Sequence, residues 1–291
     1  MFRARFVLLV LFFSFIPASQ VHAADVTYPG ERPFTVVVPT TYQSGTPAPL
    51  IIALHGYTAD SPYAESYFAL GKSADEKGIL MVYPSGSKDS NGYLFWNATP
   101  ACCNFDATSV DDEAYLLNII DSVSKDYSVD PARVYIIGHS NGGFMAHHMA
   151  CKQSDRIAAI VSLAGTTYSN TRSCKPTSPV SVLQIHGSKD AVISYTGGYL
   201  FGNAYPSARK TIDIWGKIND CGKKPARALP RLDLDRKISG TETTVLRYKG
   251  CKAGTTSELW TIDRGAHSPE LSDTFAENVL GFLLSHPKKS L

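Results

Sequence analysis

The chain has 291 residues, 44% hydrophobic and 19% charged, with 28 Lys and Arg against 26 Asp and Glu. That length and apolar content fit one well-buried α/β domain. Two of the basic residues, Arg3 and Arg5, stand in an N-terminal segment without acids, so the rest of the chain is electrically balanced. Nothing in that balance would draw nucleic acid or an anionic membrane surface.

Met1 to Ala23 reads as a secretory signal. Arg3 and Arg5 form its charged start, Phe6 to Ile16 its apolar core, and Val21-His22-Ala23 a small-residue cleavage site. The apolar run is short for a membrane span, and no cysteine stands at the cleavage point to carry a lipid anchor. The expected organisation is a signal over 1–23 and one catalytic domain over 24–291, secreted or periplasmic. Six cysteines suit disulfides in such a compartment, and the lack of paired C-x-x-C spacing argues against zinc. Cys221 with Cys251 is the expected bridge, tying the end of a late helix to the hairpin that follows. Cys102, Cys103, Cys151 and Cys174 stay unassigned, with a vicinal Cys102–Cys103 bridge as one possibility.

In chain order, Phe34 to Val38 is a strand, and Leu50 to Leu54 is a second, apolar throughout as a central strand should be. Tyr63 to Lys77 is helical, and Ile79 to Tyr83 is a third strand closed by Pro84. Ser85 to Val110 has little periodicity; a loop of that length is usually functional or stapled. Asp111 and Asp112 open a helix through Tyr127. Val134 to Ile137 is a strand, Asn141 to Cys151 a helix, and Ile157 to Leu163 and Val180 to His186 are strands. Tyr205 to Asn219 is a helix, Thr243 to Tyr248 and Glu258 to Asp263 form a hairpin, and Ser272 to Ser285 is the last helix. Strands alternate with helices, which predicts a mostly parallel sheet covered on both faces.

Between the strand Val134 to Ile137 and its helix lies Gly138-His139-Ser140-Asn141-Gly142. Strand, sharp turn and helix are what a nucleophile elbow requires: a strained serine at a helix N-terminus, with glycines where a Cβ would clash. In a wound sheet, ligands gather at the carboxyl ends of strands. Asp190 follows one such end and His267 another. The order Ser140, Asp190, His267 is that of the α/β-hydrolase fold rather than of chymotrypsin- or subtilisin-type peptidases. Serine is too weak an acid to attack a carbonyl unaided. His267 would take its proton and Asp190 would hold the imidazole tautomer. The oxyanion needs two fixed donors, expected from the backbone N–H groups of Asn141 and Tyr57, the latter preferred over Thr58. His55 is expected to brace that loop, and His139, His147 and His148 to pack the elbow and its helix.

These residues resemble a family of secreted esterases that groups polyhydroxybutyrate depolymerases with feruloyl and acetylxylan esterases. The matching pieces are Leu54-His-Gly, Trp96-Asn-Ala, Cys102-Cys103, Val110-Asp-Asp-Glu, Gly138-His-Ser-Asn-Gly-Gly, His186-Gly-Ser-Lys-Asp190, Trp215 with Asn219-Asp-Cys221-Gly, Tyr248-Lys-Gly-Cys251 and Gly265-Ala-His267. Together they span residues 50 to 270. The resemblance implies hydrolysis of carboxylic esters without metal or organic cofactor. One departure stands out: the aromatic residue that usually follows the base is replaced in Arg264-Gly-Ala-His267-Ser-Pro.

Tyr57, Trp96, Tyr195 and Tyr199 fall on loops expected at the catalytic edge. They read either as an aromatic cleft, with Trp96 and Tyr195 as the substrate contacts, or as ordinary loop packing. The expected partner is an ester, either a feruloyl or acetyl ester of a plant polysaccharide or a polyhydroxybutyrate-type polyester. A catalytically inactive polysaccharide- or lipid-binding protein is the reading from another class.

Overall fold

The structure is a computed structural model that describes residues 24–289. The expected signal, 1–23, lies outside the described residues. The chain lays down β1 (Ala24–Tyr28), β2 (Phe34–Val38), β3 (Ala48–Leu54), α1 (Ser61–Phe68), α2 (Gly71–Glu76) and β4 (Leu80–Pro84). A short ribbon follows, β5 (Ser87–Lys88) with β6 (Leu94–Phe95), and then α3 (Asp112–Asp126). Next come β7 (Val129–His139), α4 (Asn141–Lys152), β8 (Ala159–Leu163) and β9 (Ser181–Gly187). A hairpin of β10 (Gly198–Leu200) and β11 (Asn203–Tyr205) precedes α5 (Ala208–Ile218). The chain ends with β12 (Ala226–Leu232), β13 (Thr243–Arg247), β14 (Ser257–Ile262) and α6 (Phe275–Leu284).

Ten strands form one sheet in the order β1-β2-β4-β3-β7-β8-β9-β14-β13-β12. The six from β4 to β14 are mutually parallel, and antiparallel pairs close both edges. This is the α/β-hydrolase fold that the sequence points to. Alternation along β3 shows how the layers are made. Leu50, Ile52 and Leu54 join the core under α3 and α4, while Ile51 and Ala53 join the core under α1, α2 and α6. Both sets are fully buried, which is why this strand is apolar at every position.

The structure departs from the sequence reading in three places. The helix expected over Tyr63 to Lys77 is broken into α1 and α2 at Ala69, which takes φ 48°. Phe68 and Leu70 are both buried. Side chains two apart on one helix point to opposite sides, so only a break lets both reach the core. The edge strands β1 and β12 went unmarked in the sequence because their side chains are mostly exposed, and β12 carries Pro230. The long segment over 85–110 is held by Asp112, which accepts from Asn97 N at 2.6 Å and pairs with Arg32 at 2.5 Å. Asp111 caps α3 by accepting from Ala114 N.

Cys221–Cys251 is bridged as expected. The four cysteines left open form Cys102–Cys103 and Cys151–Cys174, the second tying the last turn of α4 to the segment after β8.

Candidate active site

Strands β3, β7, β9 and β14 are parallel, so the loops at their carboxyl ends open on the same edge of the sheet. Those four loops carry Tyr57, Ser140, Asp190 and His267. Ser140 has φ 54° and ψ −117°, a conformation costly for a residue with a side chain. Its backbone is fixed on both sides: Ser140 N donates to Leu163 O at 2.8 Å, and Phe144 N donates to Ser140 O at 3.0 Å. The turn leaves no room around it. A Cβ on Gly138 would overlap Gly142 O, and one on Gly142 would overlap the carbonyls of Leu54 and His55.

Ser140 Oγ lies 2.9 Å from His267 Nε2, and His267 Nδ1 lies 2.8 Å from Asp190 Oδ2. The other carboxylate oxygen, Asp190 Oδ1, accepts from Val192 N at 2.8 Å and Ile193 N at 2.9 Å. Burial works to raise the Asp190 carboxyl. The hydrogen bonds from His186 and His267 and the positive charge His267 can carry outweigh it, so the group stays well below the usual carboxylate range. The loops that carry His267 and Asp190 are also joined: Arg264 N donates to Ser188 Oγ at 2.7 Å, and Lys189 N donates to Gly265 O at 2.9 Å.

The loop that carries Tyr57 lies against the elbow. A Cβ on Gly56, the residue before Tyr57, would come 3.3 Å from Ser140 Cβ. Thr58 N is already committed to Leu94 O at 2.9 Å. Among the described residues, neither Tyr57 N nor Asn141 N has an acceptor, and Asn141 N stands in the first turn of α4. His55 braces this loop. Gly86 N donates to His55 Nε2 at 2.8 Å, which leaves Nδ1–H to donate to Gly56 O at 2.7 Å.

His139 packs behind His267. Its Nε2 lies 3.1 Å from His267 O, and its ring centre is 5.1 Å from that of His267. Burial, and then the charge His267 can carry, push His139 down to about 4, so it packs as a neutral ring. His147 is likewise buried, and His148 joins Glu113 at 2.8 Å and Ala98 O at 2.9 Å.

Two expected substrate contacts need correction. Trp96 is fully buried, with its Nε1 donating to His55 O at 3.1 Å. Its backbone is held at both ends by the Asn141 side chain, at 2.7 Å and 2.9 Å. It braces the loop after β3 and the elbow and does not wall a cleft. Tyr195 is committed to a small core with Ala208, Ile212 and Leu259, and its hydroxyl meets Thr261 Oγ1 at 2.9 Å. An aromatic residue on a loop looks the same in sequence whether it walls a cleft or packs inward, and these two pack inward.

The exposed aromatics are others. From Tyr57 a line of rings runs to Phe105, 5.3 Å away, and from Phe105 to Phe201, 4.3 Å further. Phe201 is 78% exposed and Tyr199 75%, both on the hairpin of β10 and β11. Phe201 also holds φ 46° at the hairpin tip, where Asn or Gly fits better. Of the line, the sequence reading singles out Tyr57 alone; beside it on the hairpin it also singles out Tyr199. On the opposite side, a cleft of about 890 Å³ adjoins Ser268 and Pro269 and carries the stacked Tyr63–Tyr67 pair. The residues after His267 that depart from the family pattern open onto it. No cluster among the described residues could hold a metal ion, and no described helix is long and apolar enough to cross a membrane.

Comparison with known proteins agrees with this fold. Residues 39–215 match the family described as phospholipase/carboxylesterase. Feruloyl esterase B of Piromyces equi is 28% identical over 245 residues, 81% of this chain but 42% of that protein. Poly(3-hydroxyalkanoate) depolymerase C of Paucimonas lemoignei is 30% identical over 221 residues, 72% of this chain and 50% of that protein. The chain thus spans half or less of the length of these two relatives. An acetyl xylan esterase from Aspergillus awamori shares the fold at a TM-score of 0.62 and 17% identity, covering 90% of this chain and 100% of that one. By this match, which covers more than half of its length and includes the elbow, the chain belongs to the phospholipase/carboxylesterase family.

Proposed function

We propose that this protein is a secreted or periplasmic serine esterase that works through an acyl-enzyme, with residues 1–23 as its export signal and the rest as one catalytic domain. The observation that carries the reading is the unbroken contact from Ser140 Oγ through His267 to Asp190, at 2.9 Å and 2.8 Å. In this reading Ser140 Oγ attacks the ester carbonyl while His267 Nε2 takes its proton. The oxyanion accepts from the N–H groups of Tyr57 and Asn141. Collapse expels the alcohol, which receives the proton from His267, and water then repeats the sequence to free the acid. Asp190 keeps the proton of the neutral imidazole on Nδ1 and stabilises the imidazolium.

Feruloyl or acetyl esters of plant polysaccharides are the proposed substrates. Feruloyl esterase B as a relative and the aromatic line from Tyr57 to Phe201 support an aryl acyl group. A polyester of the polyhydroxybutyrate type is the alternative, favoured by the relationship to depolymerase C and by the exposure of Phe201 and Tyr199. Short-chain nitrophenyl esters test the chemistry. Ser140→Ala should lower turnover by about 10⁴-fold or more and abolish labelling by a serine-directed phosphonate. Labelling retained in that variant would remove the assignment. Product release from methyl ferulate, acetylated xylan and polyhydroxybutyrate then separates the substrates.

A further inference from the structure

Behind the site, a connected line of four fully buried side chains reaches Asp190: Trp215, His147, Gln184 and His186. Its polarity is set from both ends. An indole N–H can only donate. Trp215 Nε1 lies 3.0 Å from His147 Nδ1, which must therefore accept. Burial pushes His147 down to about 4, so the ring is neutral and its proton sits on Nε2, 3.0 Å from Gln184 Oε1. The Gln184 amide is oriented independently. Its Nε2 faces Gly165 O at 2.8 Å and Ile185 O at 3.3 Å, and both carbonyls only accept.

The same amide nitrogen lies 3.2 Å from His186 Nδ1. His186 Nε2 lies 2.8 Å from Ile193 O, another obligate acceptor, so its proton is on Nε2 and Nδ1 receives from Gln184. That Nε2–H also stands 3.2 Å from Asp190 Oδ2, the oxygen that faces His267. One ring therefore holds both ends of the turn from Asp190 to Ile193, the turn whose own N–H groups grip Asp190 Oδ1.

We propose that His186 is a positioning residue for Asp190, locked by the line from Trp215 as the neutral Nε2–H tautomer so that the carboxylate is held at one angle to His267. The proposal rests on the reading of Ser140, His267 and Asp190 as the catalytic set. His186 is fully buried, so its loss should act on turnover and leave substrate binding alone. Removing a donor shared with a buried carboxylate is worth about tenfold or more in rate.

The test uses the full chain. With ¹⁵N-labelled histidine, nitrogen shifts at neutral pH should show His186 and His147 both neutral with the proton on Nε2. A proton on His186 Nδ1, or a charged His186 ring, overturns the proposal. His186→Leu should lower kcat on a nitrophenyl ester about tenfold or more with KM within about twofold. His186→Gln, which can offer an amide N–H near the same place, should recover most of that loss. An unchanged kcat in folded His186→Leu, or no recovery in folded His186→Gln, counts equally against it. Should His186→Leu fail to fold, the nitrogen shifts alone decide. Activity retained by Ser140→Ala would strike the underlying assignment instead, so the two failures are distinguishable.

Discussion

The inner and outer parts of this site are built on opposite principles. Around Ser140 every group is held several times over: the elbow backbone by β8 and α4, Asn141 by two bonds to Trp96, and Asp190 by His186, His267 and its own turn. The aromatic line from Tyr57 outward is held mainly by ring contacts, and Phe201 and Tyr199 are mostly in solvent. Reacting atoms need fixed geometry because a displacement of about 1 Å is costly in rate. A rim that meets a varied or polymeric ester gains from surface that can adapt. Under the proposed function, chemistry and substrate choice would be separately encoded, and substitutions can test that separation.

The largest effect should come from the tightest point. Gly142→Ala would drive a methyl group into the carbonyls of Leu54 and His55, so it should cost about 3 kcal/mol or more of stability along with activity. Denaturant unfolding and an ester assay measure both; a variant as stable and active as the parent would show the inner region to be looser than described.

The buried histidines give the inner region a signature in pH. His139 and His147 are held at about 4 in the folded chain, against the usual 6.5. Burial also lowers His55 and His286. The unfolded chain therefore binds more protons across that window, so stability is complete above about pH 6.5 and falls as pH drops toward 4. The expected loss is on the order of several kcal/mol. Unfolding curves at pH 7 and pH 4.5 that coincide would contradict this.

Asn141→Ala removes both bonds to the buried Trp96 backbone but leaves the backbone N–H at 141. A stability loss of about 2–4 kcal/mol is expected, with a fall in kcat smaller than that of Ser140→Ala. Equal kcat losses in the two variants would mean the Asn141 side chain does more than brace. The smallest effect on folding belongs to the rim. Phe201→Ala should change stability by less than about 0.5 kcal/mol, yet lower kcat/KM for methyl ferulate more than for an acetyl ester. A uniform change across both esters would detach the aromatic line from substrate choice.

Much of the inner region can be read from the chain. Gly138-His-Ser140-Asn-Gly142 between an apolar strand and a helix, with Asp190 and His267 after later strands, is local chemistry repeated at strand ends. Such patterns are visible because backbone demands, a positive φ at Ser140 and missing Cβ atoms beside it, restrict residue type at fixed spacing. The alternation of strands and helices is equally legible, since each strand buried on both faces must be apolar along its length. Which aromatic faces solvent is not a local property. Trp96 and Tyr195 look as eligible as Phe105 and Phe201, and only packing of the loop over 85–110 against α4, and of 195 against α5, separates them. The line from Trp215 to Asp190 is the extreme case. Its members come from α5, α4, β9 and the loop after it, and each link depends on which nitrogen carries a proton. Residue types at strand ends thus followed from the sequence, whereas burial, ring orientation and proton placement were decided by tertiary contacts between segments far apart in the chain.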